Sequence, residues 1–195
     1  MSNLDVNTYF DHVVRTMGNV PIATVNQIVS VLMEAYDSSR MVYLFGNGGS
    51  AALASHFACD LGKGATNGSS KRFKVMAFTD NVPLMTAWAN DARYEDIFAE
   101  QLVNFVQPDD IVFAISCSGN SPNVLKALRV ARMAGAFTIG LTGFQGGDMK
   151  QLCDICLIIP SDNMQVIEDL HLSITHAVFT ALRNKICQEN GEAVA

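Results

Sequence analysis

Charge is scarce in this sequence: only 16% of its 195 residues are Asp, Glu, Lys or Arg, with 13 basic side chains against 19 acidic ones. A net charge of −6 supplies no basic field for a phosphodiester backbone, so nucleic-acid binding is not expected, and any bound phosphate must be gripped locally. No apolar run reaches the ~18 residues of a membrane span. The N-terminus, MSNLDVNTYFDHVV, lacks the basic and apolar regions of a signal peptide, so a cytoplasmic protein is expected. The five cysteines are odd in number and irregular in spacing, which reads as thiols without disulfides. Cys153 and Cys156 have the spacing of a redox motif, yet they precede the apolar run Leu157-Ile158-Ile159, and strand geometry predicts that they point to opposite faces. A nucleotide cofactor is not expected either. No Gly-Lys-Ser/Thr triplet follows the glycines, which excludes a Walker loop. Gly46-x-Gly48-x-x-Ala51 has dinucleotide-type spacing, but the acidic residue that should follow ~20 positions on is missing, since the next strand ends at Asp80.

What is present is apolar. At 49% apolar residues the chain can bury a core without disulfides or a structural metal, with surface left over to hide between subunits, so a homo-oligomer is expected. Residues 3–38 carry helical periodicity, interrupted at Gly18-Asn19-Val20-Pro21, where Pro21 can start a second helix. Five short apolar runs follow, bounded by Gly, Ser, Asp or Pro: Met41–Phe45, Phe73–Phe78, Ile111–Ile115, Phe137–Leu141 and Ile155–Ile159. Amphipathic stretches of helical length, Ser50–Leu61, Tyr94–Val106 and Pro122–Met133, separate them, and Met164–Cys187 closes the chain. Continuous apolar strands alternating with helices predict an α/β fold, a doubly wound five-stranded parallel sheet flanked by helices, with an N-terminal helical segment. No linker or repeat divides residues 1–195, so one domain is expected, with Gly62–Arg72 as its mobile loop.

In such sheets ligands sit beyond the carboxyl ends of the strands, where loops enter helix N-termini. The first such loop is Gly46-Asn47-Gly48-Gly49-Ser50-Ala51, whose glycines allow close backbone approach. A second, Ser116-Cys117-Ser118-Gly119-Asn120-Ser121, ends with Ser121 as an N-cap before Pro122. Hydroxyls and backbone amides beside a helix dipole can hold a phosphate monoester without Lys or Arg. Thr142-Gly143-Phe144-Gln145-Gly146-Gly147 has similar chemistry and a weaker placement. Any one Gly/Ser loop could equally be a plain turn.

Two helices offer titratable groups. His56 and Asp60, four apart, share one helix face, and Glu168 and His176, eight apart, are offset by only about 80°. The four could act as general acid and base, or as an N/O shell for zinc or another divalent metal. They could also be plain structure: a solvated face for Glu168, Asp169 and His171, and a core position for His56 or His176. Asn90-Asp91 reads as a helix end presenting polar groups, whereas Trp88, Met76 and Met85 read as packing.

Taken in order, Gly46–Ala51, His56-Phe57-Ala58, Ala89-Asn90-Asp91, Ile115–Ser121 and Leu141-Thr142-Gly143 closely resemble the phosphoheptose (sedoheptulose-7-phosphate) isomerases of the sugar isomerase (SIS) type. The resemblance runs from about residue 40 to 180 and includes the helical preamble. It implies an aldose–ketose isomerase of heptose biosynthesis that works through an enediol, assembled as a homotetramer with active sites shared between subunits. The helices of residues 3–38 would pack on the core and on partner subunits. It further implies phosphosugar contacts at Asn47, Gly48, Gly49, Asn90, Asp91, Ser116, Cys117, Ser118 and Ser121, with Ser50 adjacent and Glu168 beside them. Asp60 and His176 would handle the protons, and His56, Asp60, Glu168 and His176 would bind zinc. In two positions this chain departs from the family: Asp60 replaces a glutamate, and Glu168 replaces a glutamine, adding charge that favours a metal. Lys63 stands one position from the family's basic residue. Two other readings remain open at this point, a non-catalytic phosphosugar-binding regulator of the type that associates with the initiator DnaA, and an isomerase of another phosphosugar.

Overall fold

The computed structural model describes residues 5–64 and 71–189. Helical periodicity builds α1 (Val6–Met17) and α2 (Ile22–Asp37). Asp5 caps α1 by accepting the Thr8 N–H at 2.8 Å, and the chain breaks at the expected Gly18–Pro21, with Pro21 at the N-cap of α2. Along α2, Val25, Ile28, Val29, Leu32 and Met33 form a buried stripe, each side chain contributing about 1.5–3 kcal/mol by leaving water.

The α/β part follows as β1 (Met41–Gly46), α3 (Gly49–Cys59), β2 (Lys74–Ala77), α4 (Val82–Asp91), α5 (Ala99–Val103), β3 (Ile111–Ile115), α6 (Pro122–Met133), β4 (Phe137–Thr142), α7 (Met149–Leu152), β5 (Ile155–Ile158) and α8 (Met164–Glu189). All pairings are parallel, in the order β2-β1-β3-β4-β5. Strand alternation splits the core into two. Val42, Leu44, Phe113, Ile139 and Leu157 face α2, α3 and α8, while Tyr43, Phe45, Val112 and Ala114 face α5, α6 and α7. The chain leaves β1 toward β2 and returns to β3 on the other side of β1, so the topological switch point, where ligands bind in open sheets, lies between the ends of β1 and β3.

The five expected strands are all present, with β2 shortened because it is an edge strand paired only with β1. Three expectations need correction. The stretch Tyr94–Val106 is not one helix but a 3₁₀ turn, Tyr94–Asp96, followed by the short α5. Ile97, Phe98 and Ala99 are all fully buried, and three consecutive buried residues do not fit the one-sided stripe of a surface helix. Helix α3 ends at Cys59, and Asp60–Gly64 continue as a π-helical turn, a winding that often marks functional sites. Gly62–Gly64 of the expected mobile loop therefore belong to that turn, and residues 65–70 of it lie outside the described residues.

The third correction concerns Cys153 and Cys156. Cys153 is not part of β5 but ends α7, so strand alternation does not apply to it. Both sulfurs face Gly140, at 2.8 and 3.5 Å from the place where a Cβ on that glycine would stand.

Candidate active site

The first loop is built by glycines that could not be replaced cheaply. A Cβ on Gly46 would lie 2.7 Å from the Ile115 carbonyl oxygen, and Gly48 turns the chain into α3 with φ +56°. Asn47 is held rigidly. Its amide exchanges two hydrogen bonds with Asn123, at 2.9 and 2.8 Å, and Tyr94 Oη donates to its carbonyl oxygen at 3.1 Å. Because Asn123 stands in the first turn of α6, this amide pair locks the first loop to the second.

In the second loop Ser121 occupies the N-cap of α6 but makes no capping hydrogen bond; its Oγ meets Ser116 Oγ at 3.1 Å instead. Among the described residues the backbone N–H groups of Gly48, Gly49, Ser118 and Ser121 have no partner. These unpaired donors, beside the positive ends of α3 and α6, form a cradle for an anion. The third loop supports the second and does not line the cradle. Gly119 (φ +67°) packs so closely on Gly146 that a Cβ there would lie 2.1 Å from its carbonyl oxygen, and Gly143 N–H donates to the Cys117 carbonyl at 2.8 Å.

Beside the cradle, α3 and α8 bring three of the four expected titratable groups together. Ligand atoms of His56, Asp60 and His176 all lie within 4.8 Å of one another. His56 Nε2 stands 3.1 Å from His176 Nε2, and Asp60 Oδ2 stands 3.5 Å from the first and 4.0 Å from the second. Asp60 Oδ2 is buried and makes no hydrogen bond among the described residues. Two imidazole nitrogens facing a solvent-poor carboxylate oxygen form a proton-handling cluster, and their donor set of two N and one O also suits zinc. None of the three is a core residue, so the core position considered for His56 or His176 does not hold.

Residues 8–143 match the family model described as SIS domain. A phosphoheptose isomerase of Trichlorobacter lovleyi is 40% identical over 161 residues, covering 79% of this chain and 78% of the relative. A probable phosphoheptose isomerase of Thermoplasma acidophilum is 34% identical over 182 residues, covering 93% of this chain and 100% of its own. This chain belongs to the phosphoheptose isomerase family. The solved phosphoheptose isomerase of Francisella tularensis superposes with a TM-score of 0.87 at 29% identity, over 94% of this chain and 100% of that one. The Neisseria gonorrhoeae enzyme gives 0.85 at 26% identity, over 92% and 97%.

Within this phosphoheptose isomerase relative, Glu168 is the titratable group that stands apart. Its carboxylate packs over Gly49, about where a Cβ would be 3.0 Å away, and Cys117 Sγ approaches Oε1 at 4.0 Å. Burial, and then this carboxylate, push the Cys117 thiol up to about 11, so it stays protonated. A cleft of about 270 Å³ between α3 and α8 joins Gly49, Ser50, His56, Glu168, His171 and Leu172. Asn90 and Asp91 end α4, bonded to each other at 2.8 Å, and among the described residues make no hydrogen bond to the loops or to the histidine cluster.

Sequence reasoning missed Asn123 and Tyr94, whose role appears only when loops far apart in the chain meet, and it offered His171 only as part of an alternative solvated face. His171 is 1% exposed, and its Nε2–H donates to the Thr142 carbonyl at 3.2 Å, tying the third loop to α8. Burial holds its imidazole down at about 4, so it is neutral at neutral pH.

Proposed function

We propose that this protein isomerises sedoheptulose 7-phosphate to the corresponding aldose, glycero-manno-heptose 7-phosphate, through an enediol. The observation that carries the reading is the meeting of Asp60 and His176, at 4.0 Å, beside a cradle of unpaired backbone donors. The phosphate takes the N–H groups of Ser118 and Ser121 with the hydroxyls of Ser116, Ser118 and Ser121. Asn47, Gly48, Gly49 and Ser50 hold the sugar chain, with Cys117 as a neutral wall and Glu168 at its flank.

Asp60 removes a proton from C1 of the open-chain ketose, and the electron pair moves into a C1–C2 double bond as the C2 carbonyl oxygen takes a proton. His176 shuttles that proton between O1 and O2, and the Asp60 carboxyl, which exchanges its proton with water during the lifetime of the enediol, protonates C2, leaving an aldehyde at C1. An unsatisfied carboxylate oxygen between two imidazoles is poised for both roles. His56, Asp60 and His176, with Glu168 as the fourth ligand that the family resemblance implies, would hold zinc, and the orphaned Asp60 oxygen fits that role. When bound, the ion would polarise the carbonyl and the adjacent hydroxyl.

The whole chain acts as one SIS domain in a cytoplasmic homotetramer whose sites are shared between subunits. Two features support assembly. Helix α1 exposes Val6, Phe10, Val14 and Met17 along one face, and the apolar α4 has no buried residue at all. Asn90 and Asp91, at the end of α4, would then serve a neighbouring subunit's site. The test is incubation with a panel of C5 to C7 ketose phosphates. Heptose 7-phosphate formed from sedoheptulose 7-phosphate, well ahead of the shorter sugars, is the expected result. Turnover of a pentose phosphate alone would assign another substrate, and no turnover at all would refute isomerase activity.

A further inference from the structure

A dithiol lies on the far face of the sheet from the proposed active site. Cys153 ends α7, and Cys156 sits on the edge strand β5, paired in register with Gly140 of β4. Because position 140 carries no side chain, three sulfur-bearing side chains lean into the same gap. Where a Cβ on Gly140 would stand, the Met149 terminal methyl is 2.6 Å away, Cys153 Sγ 2.8 Å and Cys156 Sγ 3.5 Å. Both cysteines are half-buried, and Met149 is fully buried.

We propose that Cys153 and Cys156, backed by Met149, form a binding site for a soft monovalent cation, Cu(I) or Ag(I), distinct from the His56–Asp60–His176 cluster. Thiolate and thioether sulfur select Cu(I) over harder ions, and two thiolates with at most one thioether satisfy its low coordination number, whereas a structural zinc requires four ligands. The charge balance is also right. Arg132 and Lys150 act on the pair as cations and Asp154 as an anion, so the charges cancel once two thiolates and one monovalent ion are added. Binding deprotonates both thiols and releases their protons to solvent.

The two sites are separable because the histidine cluster is carried by α3 and α8 and the dithiol by α7 and β5, on opposite faces. The experiment titrates reduced, anaerobic full-length protein with Cu(I) held by a coloured Cu(I) chelator. The wild type should withdraw one equivalent per chain. Cys153→Ser and Cys156→Ser should each weaken uptake by about a hundredfold or more, since a second linked ligand gains about 10²- to 10⁴-fold. The double variant should lose uptake while its circular-dichroism melt stays like the wild type's, although Cys59, Cys117 and Cys187 remain in it. His56→Ala and His176→Ala should leave uptake unchanged. Uptake that persists in the double variant, or that disappears with the histidines, would overturn the site.

Discussion

At the scale of single residues, the groups that matter carry unmet hydrogen-bonding capacity. Asp60 Oδ2 is buried without a hydrogen bond among the described residues, so Asp60→Asn should leave the melting temperature unchanged or raised while kcat falls by about 10²- to 10⁴-fold, with His176→Ala similar in kcat. Steady-state kinetics beside a thermal melt checks both halves, and a kcat loss matched by unfolding would contradict the assignment. His171 makes a separate prediction. Its folded-state pKa, about 4, lies below the ordinary 6.5, so above pH 6.5 it is neutral in both states and its contribution is intact. As pH falls from 6.5 to 4 the unfolded chain takes up a proton that the folded chain refuses, and about 3 kcal/mol of stability is lost. His171→Gln keeps a donor for the Thr142 carbonyl and cannot titrate, so urea unfolding followed across that pH range should show a flatter profile. An equally steep profile in the variant would place the pH dependence elsewhere. The pairing of His56 with Asp60 was legible in the sequence because a helical spacing of four is a local rule, whereas the spacing of eight tied His176 to Glu168, which stands outside the cluster that His176 joins. His171 was not legible, because its burial depends on the loop after β4, about thirty positions away.

At the scale of elements, the strands were readable because a buried parallel strand is continuously apolar, and the loops because Gly and Ser cluster at their ends. Helix α4 was read only at its end, Asn90-Asp91, since the residues it packs on the core, Met85, Trp88 and Ala89, are only partly buried and leave a weak stripe. The π turn at Asp60–Gly64 was equally invisible, because nothing in Asp-Leu-Gly-Lys-Gly separates a π turn from an α turn. The loops make the anion cradle only as a set, with the third holding the second. Gly119→Ala puts a side chain at positive φ against the Gly146 carbonyl. It should cost about 1–3 kcal/mol from backbone strain alone, and should raise KM for the phosphosugar more than it lowers kcat. Denaturant titration and kinetics on the one variant decide this, and a wild-type KM would mean that the third loop does not position the second.

At the scale of the whole molecule, strand order puts both loops at the switch point between β1 and β3, and α8 crosses beside them to deliver His176. Strand order follows from neither composition nor periodicity, so the sheet was legible in the residues and the order of its strands was not. The exposed α1 stripe gives the assembly prediction. Phe10→Glu should lower the mass measured by light scattering from that of the proposed tetramer to a smaller species, and an unchanged mass would take α1 out of the interface. At the centre of the mechanism one carboxylate takes a proton from C1 of a phosphosugar and, after exchange with water, gives one to C2. This transfer is tested most directly by running the isomerisation in deuterated buffer and locating the label by NMR. Deuterium at C2 of the heptose product, with both exchange and turnover lost in Asp60→Asn, is the predicted result. Product that forms with no deuterium at C2, or exchange that survives in Asp60→Asn, would contradict it.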